Sequence, residues 1–195
     1  MAKITWKPGT LLAPLPAVLV SCGTMEKANV FTVAWTGIIN THPAMTYISV
    51  RPSRHSYSMI KESGEFVINL TTSAMVRTVD FCGVRSGSSV DKLKVCSLHK
   101  EPASKISAPV ISESPLSLEC RVTEIKHLGT HDMFIAEIVA VDIEERFIDS
   151  KGKLNLQQAG LISYSHGEYF ATGRKLGEFG YSVRKKSKNK CVRGK

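Results

Sequence analysis

N-V-F-T-V-A-W-T-G-I-I-N-T-H-P-A-M-T-Y-I-S-V-R-P-S-R-H-S, residues 29–56, decides how this chain folds. Residues 30–36 and 46–50 are rich in β-branched and aromatic side chains, which suit the pleated, half-buried surface of a strand. A turn is expected between them at 41–44. A period of two along 30–36 puts Thr32, Ala34 and Thr36 on one face, and Val33 and Trp35 on the other. Directly after the second strand come Arg51, Ser53, Arg54, His55 and Ser56. Pro52 lacks an N–H and cannot continue a central strand, so the chain turns there. A short helix through about residue 63 is expected to follow, capped by Ser53 or Ser56. Guanidinium groups, hydroxyls and free helix N–H groups gathered at one turn are suited to a small dianion.

Strand character also dominates on either side. Residues 17–23 and 65–70 read as strands, with a polar turn at 24–29 and Gly64 ending the short helix. Residues 116–125 alternate well, with Leu116, Leu118, Cys120 and Val122 on one face. Gly129 marks a turn before a longer strand at 133–141, where imperfect alternation suggests cover on both faces. A second helical pattern, 73–81, carries Met75, Val76 and Val79 and has Thr72 or Ser73 as its cap. It runs into a Gly/Ser-rich loop at 82–92, and 103–115 is turn-rich. Short helices set between strands favour a mainly β fold, a closed or nearly closed barrel, over a doubly wound parallel sheet.

The 195 residues fit one domain spanning 1–184, followed by a basic tail at 185–195. With 43% hydrophobic and 22% charged residues, the chain has the makings of a packed core. The apolar run 11–22 is short and broken by Pro14 and Pro16, so neither a signal sequence nor a membrane span is expected. A soluble, cytoplasmic protein with no membrane association follows. The net charge is +9, but residues 174–195 hold nine Lys or Arg against one Glu, leaving +1 for residues 1–173. Charge this local does not suggest a nucleic-acid binder, which spreads cations over a folded face. The tail is either solvated or lies over an anionic ligand or partner.

Five cysteines without a C-x-x-C pair make a disulfide framework or zinc site improbable, and Cys22 and Cys120 read as buried apolar residues. His127 and His131 are four apart, but in an expected hairpin, where that spacing does not make a metal pair. No metal site is expected. Neither G-x-G-x-x-G, nor a P-loop, nor a G-x-S-x-G elbow occurs.

Several pieces of the chain together resemble one family. They are N-V-F-T-V-A-W-T, Y-I-S-V-R-P-S-R-H-S-Y-S-M-I, G-E-F-V-I-N-L, D-F-C-G-V-R-S-G-S-S-V-D-K (80–92), L-G-T-H-D-M-F-I-A-E-I-V (128–139) and G-R-K-L-G-E-F-G-Y-S-V-R (173–184). In this order and spacing they resemble the flavin reductase-like family, more narrowly its flavoredoxin branch. The resemblance implies an FMN-binding split β-barrel with short peripheral helices. It also implies a homodimer with FMN near the subunit interface.

By the same resemblance the flavin ring lies along Asn29, Thr32, Val33, Ala34, Trp35 and Thr36, with Ser49 and Val50 beside it. Arg51, Ser53, Arg54 and Ser56 take the phosphate. Cys82 and Gly83 lie close to the ring, with packing the favoured role for the thiol, and Ser86, Ser88 and Lys92 complete the anion-binding wall. His131 is the candidate catalytic residue, on the face where NAD(P)H docks as a transient reductant. The activity implied is NAD(P)H-dependent flavin reduction. The alternatives are a flavoredoxin that exchanges electrons with protein partners and a non-redox FMN-binding protein.

Overall fold

The computed structural model describes residues 1–184 and folds the strand-rich pattern into an antiparallel barrel. Its first strands are β1 (Leu15–Pro16), β2 (Val18–Gly23), β3 (Ala28–Val33), β4 (Thr36–Asn40), β5 (Met45–Val50) and β6 (Glu65–Asn69). Then come β7 (Lys100–Glu101), β8 (Val110–Ile111), β9 (Leu116–His127), β10 (Asp132–Ile143), β11 (Ile162–Ser165) and β12 (Glu168–Ala171). The α-helices are α1 (His55–Ser63), α2 (Val76–Val84) and α3 (Lys92–Val95). Among the described residues, no helix is long and apolar enough to cross a membrane.

Seven strands pair in the order β3-β2-β6-β9-β10-β5-β4. That order forces the sheet to curl. In a flat sheet, six gaps of about 4.8 Å would separate β3 from β4 by roughly 29 Å. Yet residues 34 and 35 alone join them, and three Cα steps reach at most roughly 11 Å. The two edges therefore meet, and at the seam the Ser49 N–H donates to Trp35 O at 2.9 Å. Bulges in β10 against β9, at 135/136 and 138/140, add the bending that curling needs.

The seam corrects the expected strand at 30–36. It is two strands in one sheet, paired to β2 and to β5, and the single alternation of faces does not survive the junction. Val33 and Thr36 are both buried and Trp35 is exposed. Local propensity runs through the break unchanged, because the break is set by distant pairing.

β2 explains why its sequence is apolar on both faces. Val18, Val20 and Cys22 point into the barrel with Phe31, Ile48, Phe66 and Phe134. Leu19 points out, under α2, with Val30, Met75 and Val79. A buried polar knot crosses this wall: Asn69 Nδ2 donates to Leu19 O (3.1 Å) and Ser21 Oγ (2.9 Å), while Oδ1 accepts from the Ile111 N–H (3.0 Å) and Ser117 Oγ (2.9 Å). Asn69→Ala strands several dry donors and acceptors at once, and should cost roughly 2–4 kcal/mol in urea unfolding.

Both helix starts differ from expectation. Arg54, not Ser53 or Ser56, stands at the N-cap of α1 and makes no side-chain cap bond. A 3-10 turn, Ser73–Met75, precedes α2, and neither Thr72 nor Met75 makes a side-chain cap bond. α2 also runs on to Val84, so Cys82 and Gly83 are helical rather than part of the loop. The helix is held close to β3 by Thr32 Oγ1 donating to Val79 O, and a Cβ on Gly83 would sit 3.3 Å from Thr32 Cβ. Gly64 does end α1, at φ 68°, with its N–H on Ile60 O.

Candidate functional site

The seam that closes the barrel also opens a cleft of about 360 Å³, bounded by β3, the end of β5, α2 and the β11–β12 hairpin. A second hollow of about 440 Å³ continues it toward the first turn of α1. The two share Phe31, Arg51, Arg54 and Val84 as walls. Each lies within the ~300–1,000 Å³ range of small-molecule sites.

Most of the residues singled out in the sequence come together here. Thr32, Val33, Ala34, Trp35, Ser49, Val50, Gly83 and His131 line the first part. Asn29, Ser53, Ser56, Ser86 and Lys92 line the second. Three lie outside both linings. Thr36 is buried, with Oγ1 donating to Tyr47 O at 2.5 Å. Cys82 points into the core beneath α2. Ser88 lines a neighbouring hollow and bonds Ser86 Oγ at 2.9 Å.

Side-chain hydrogen bonds from several elements brace the cationic end. Asn29 Nδ2 donates to Ser56 Oγ at 2.6 Å, joining β3 to α1. Arg54 Nη1 donates to Gly83 O at 2.7 Å, near the C-terminal end of α2, where carbonyls lack helical partners. Lys92 is buried, and its Nζ donates to Cys82 O at 3.2 Å. Burial holds the Lys92 ammonium below its ordinary pKa, and Arg54 nearby lowers it further. A dianion placed between these cations relieves that cost.

At the other end, the rings of Trp35 and His131 are 4.4 Å apart and tilted by 39°. Burial lowers the pKa of His131, and Arg51 and Arg54 lower it further. Both causes favour the neutral imidazole. Replacing Arg51 or Arg54 by Ala removes one of those cations, so the His131 titration followed by NMR should move up toward the ordinary histidine value. The Cys82 thiol is pushed up to about 12, chiefly by burial with the Cys96 thiol adding to it, so the neutral thiol packs as a small apolar group.

Sequence reasoning missed one wall. Asp80, Val84, Tyr164 and Tyr169 also line the cleft. The two tyrosines face each other across the β11–β12 hairpin with ring centroids 5.6 Å apart, and Tyr169 OH reaches Asp80 Oδ1 at 3.4 Å. I-S-Y-S-H-G-E-Y-F-A carried the signal: two short runs around a two-residue turn in which His166 and Gly167 have φ of 49° and 93°.

A family model described as the flavin reductase like domain matches residues 11–172. The chain belongs to the flavin reductase-like family. A protein of Archaeoglobus fulgidus without an assigned function is 33% identical over 161 residues, covering 83% of this chain and 89% of the relative. The flavoredoxin of Desulfovibrio vulgaris (Miyazaki F) superposes with a TM-score of 0.87 at 27% identity, over 94% of this chain and all of that one (100%). A flavoredoxin of Methanosarcina acetivorans gives 0.85 at 28% identity, over 94% and 100%. The fold is thus the flavoredoxin-type split β-barrel of this family, and both family and fold support FMN binding.

The residues present fit FMN. A buried ammonium, two exposed guanidinium groups and the serines of α1 and the 86–88 turn suit a phosphate. Phe31, Val33 and Val50 give the other end an apolar wall, and the Ala34 and Trp35 N–H groups at the seam, whose carbonyls are already bonded, offer donors to a ring edge.

Proposed function

We propose that the chain is an FMN-binding oxidoreductase that uses NAD(P)H to reduce flavin. One observation carries this reading: two adjoining hollows join an aromatic and apolar end, where His131 lies against Trp35, to a cationic end suited to a dianion. FMN held here would supply the hydride and electron-transfer chemistry that the reaction needs. The protein's own residues bind, orient and exclude water. Arg51, Arg54 and Lys92 would hold its phosphate. Phe31, Val33 and Val50 would give the ring end an apolar, water-excluding wall. His131, tilted against Trp35, would offer a hydrogen bond that orients an incoming nicotinamide.

The likeness to two flavoredoxins favours a second reading, in which FMN stays bound and a protein partner supplies and removes the electrons. Anaerobic titration separates the two. Rapid bleaching of the bound flavin by NADH or NADPH supports the reductase. Bleaching by a reduced protein partner alone supports the carrier.

We also propose a homodimer. Ile38, Ile39 and Leu128 are exposed near the cleft's strands, as are Leu176, Phe179 and Val183 beyond β12. So much exposed apolar surface suits burial against a second copy. Light scattering on the full chain should give twice the chain mass.

A further inference from the structure

A buried carboxylate outside the cleft lining joins α1 to the end of β9. Asp132, the first residue of β10, is 4% exposed. Its Oδ2 accepts from the Tyr57 hydroxyl at 2.5 Å and lies 2.9 Å from His127 Nδ1. Tyr57 sits in the first turn of α1, directly after Ser56, with its ring edge-on to Phe134 at 5.3 Å and Lys61 Nζ 6.0 Å from its centroid. In register, Asp132 stands opposite His127 on β9 and opposite Val50 on β5, and Val50 immediately precedes Arg51. Successive strand residues point to opposite faces, so the Asp132 side chain meets α1 while His131 meets Trp35 in the cleft. The Asp132 carboxylate thus bonds α1, which carries Ser56 and starts at Arg54, and the end of β9, while the Asp132 backbone pairs with the strand leading to Arg51 and directly follows His131.

We infer that Asp132 is a positioning residue that fixes the anion end of the cleft relative to His131, so that the two ends are set together. This rests on reading the cleft as the flavin site. Tyr57 donates and His127 pairs, and both demands converge on Oδ2, which places α1 and the β9–β10 turn in one frame. Hydrogen bonds to an ionised acceptor are short and directional, so the frame is stiff. Tyr57 and the Lys61 ammonium face Asp132 from α1, and His127 faces it from β9. Losing Tyr57's bond frees the first turn of α1, and with it Arg54 and Ser56. The same loss lets the β10 start relax, and His131 moves off Trp35.

The test uses full-length Tyr57→Phe, Asp132→Asn and Asp132→Ala. For each, the dissociation constants for FMN and riboflavin are measured, and the His131 titration is followed by NMR without flavin. Tyr57→Phe should cut the preference for FMN over riboflavin about 3–10-fold. It should also move the His131 titration up, because a looser stack relieves burial. Asp132→Asn keeps a carbonyl acceptor for Tyr57 and should fall between wild type and Asp132→Ala on both readouts.

An unchanged affinity ratio with an unchanged titration overturns the inference. So does an equal loss of both ligands that merely follows thermal destabilisation. If the wild type binds neither flavin, the flavin reading fails. The ligand-free titration still decides whether Asp132 places His131.

Discussion

Arg51→Ala should weaken FMN binding about 10–150-fold and leave riboflavin binding nearly unchanged. The two ligands differ by the phosphate alone, so the ratio isolates the anion end from the ring end. Arg51 is exposed, and its guanidinium borders both parts of the cleft. Losing one charge-assisted bond to a phosphate costs about 1.5–3 kcal/mol, and each 1.4 kcal/mol is tenfold in affinity. Arg54→Ala should act in the same direction, with an additional small loss of riboflavin, because Arg54 also braces Gly83 O. Titration of intrinsic tryptophan fluorescence with each ligand measures both constants. Equal losses for FMN and riboflavin would remove Arg51 from phosphate recognition.

Gly87→Ala should also reduce FMN affinity at least tenfold while leaving thermal stability within a few degrees. A Cβ there would lie 2.3 Å from Asn29 Oδ1 and 2.7 Å from its Cγ. Asn29 is buried and already commits Nδ2 to Ser56, so it can give way only by surrendering that bond. The substitution therefore attacks the joint between β3 and α1 without touching the core. Calorimetric titration with FMN, paired with a melting curve, separates this from general damage. A wild-type affinity would mean that the Asn29–Ser56 bond is incidental to the anion end.

The anion turn was legible because its parts are neighbours in sequence: Arg51, Ser53, Arg54 and Ser56 need one turn, not a fold, to converge. Barrel content was legible too, since alternation on 116–125 and doubly apolar runs such as 17–23 report burial directly. What escaped notice depends on distant partners. The break at 34–35 comes from β3 pairing with β2 while β4 pairs with β5 at the opposite edge. Cys82 became helical because α2 packs on Thr32, fifty residues earlier. Asp132 reads as an ordinary strand-end carboxylate until Tyr57, 75 positions away, is seen to donate to it. The tyrosine wall of β11–β12 is only faintly written in the pattern, because a short hairpin carries a weak signal.

On the proposed reading, FMN occupies the cleft at the barrel seam, its phosphate among Arg51, Arg54 and Lys92 and its ring beside Trp35 and His131. Trp35 lines that cleft, which makes its fluorescence a direct reporter. Wild type and Trp35→Phe, each as the full chain, are titrated with FMN. Saturable quenching at one FMN per chain in the wild type, with most of the amplitude lost in Trp35→Phe while FMN still binds, is the predicted result. No saturable binding, or full quenching retained without Trp35, would contradict it.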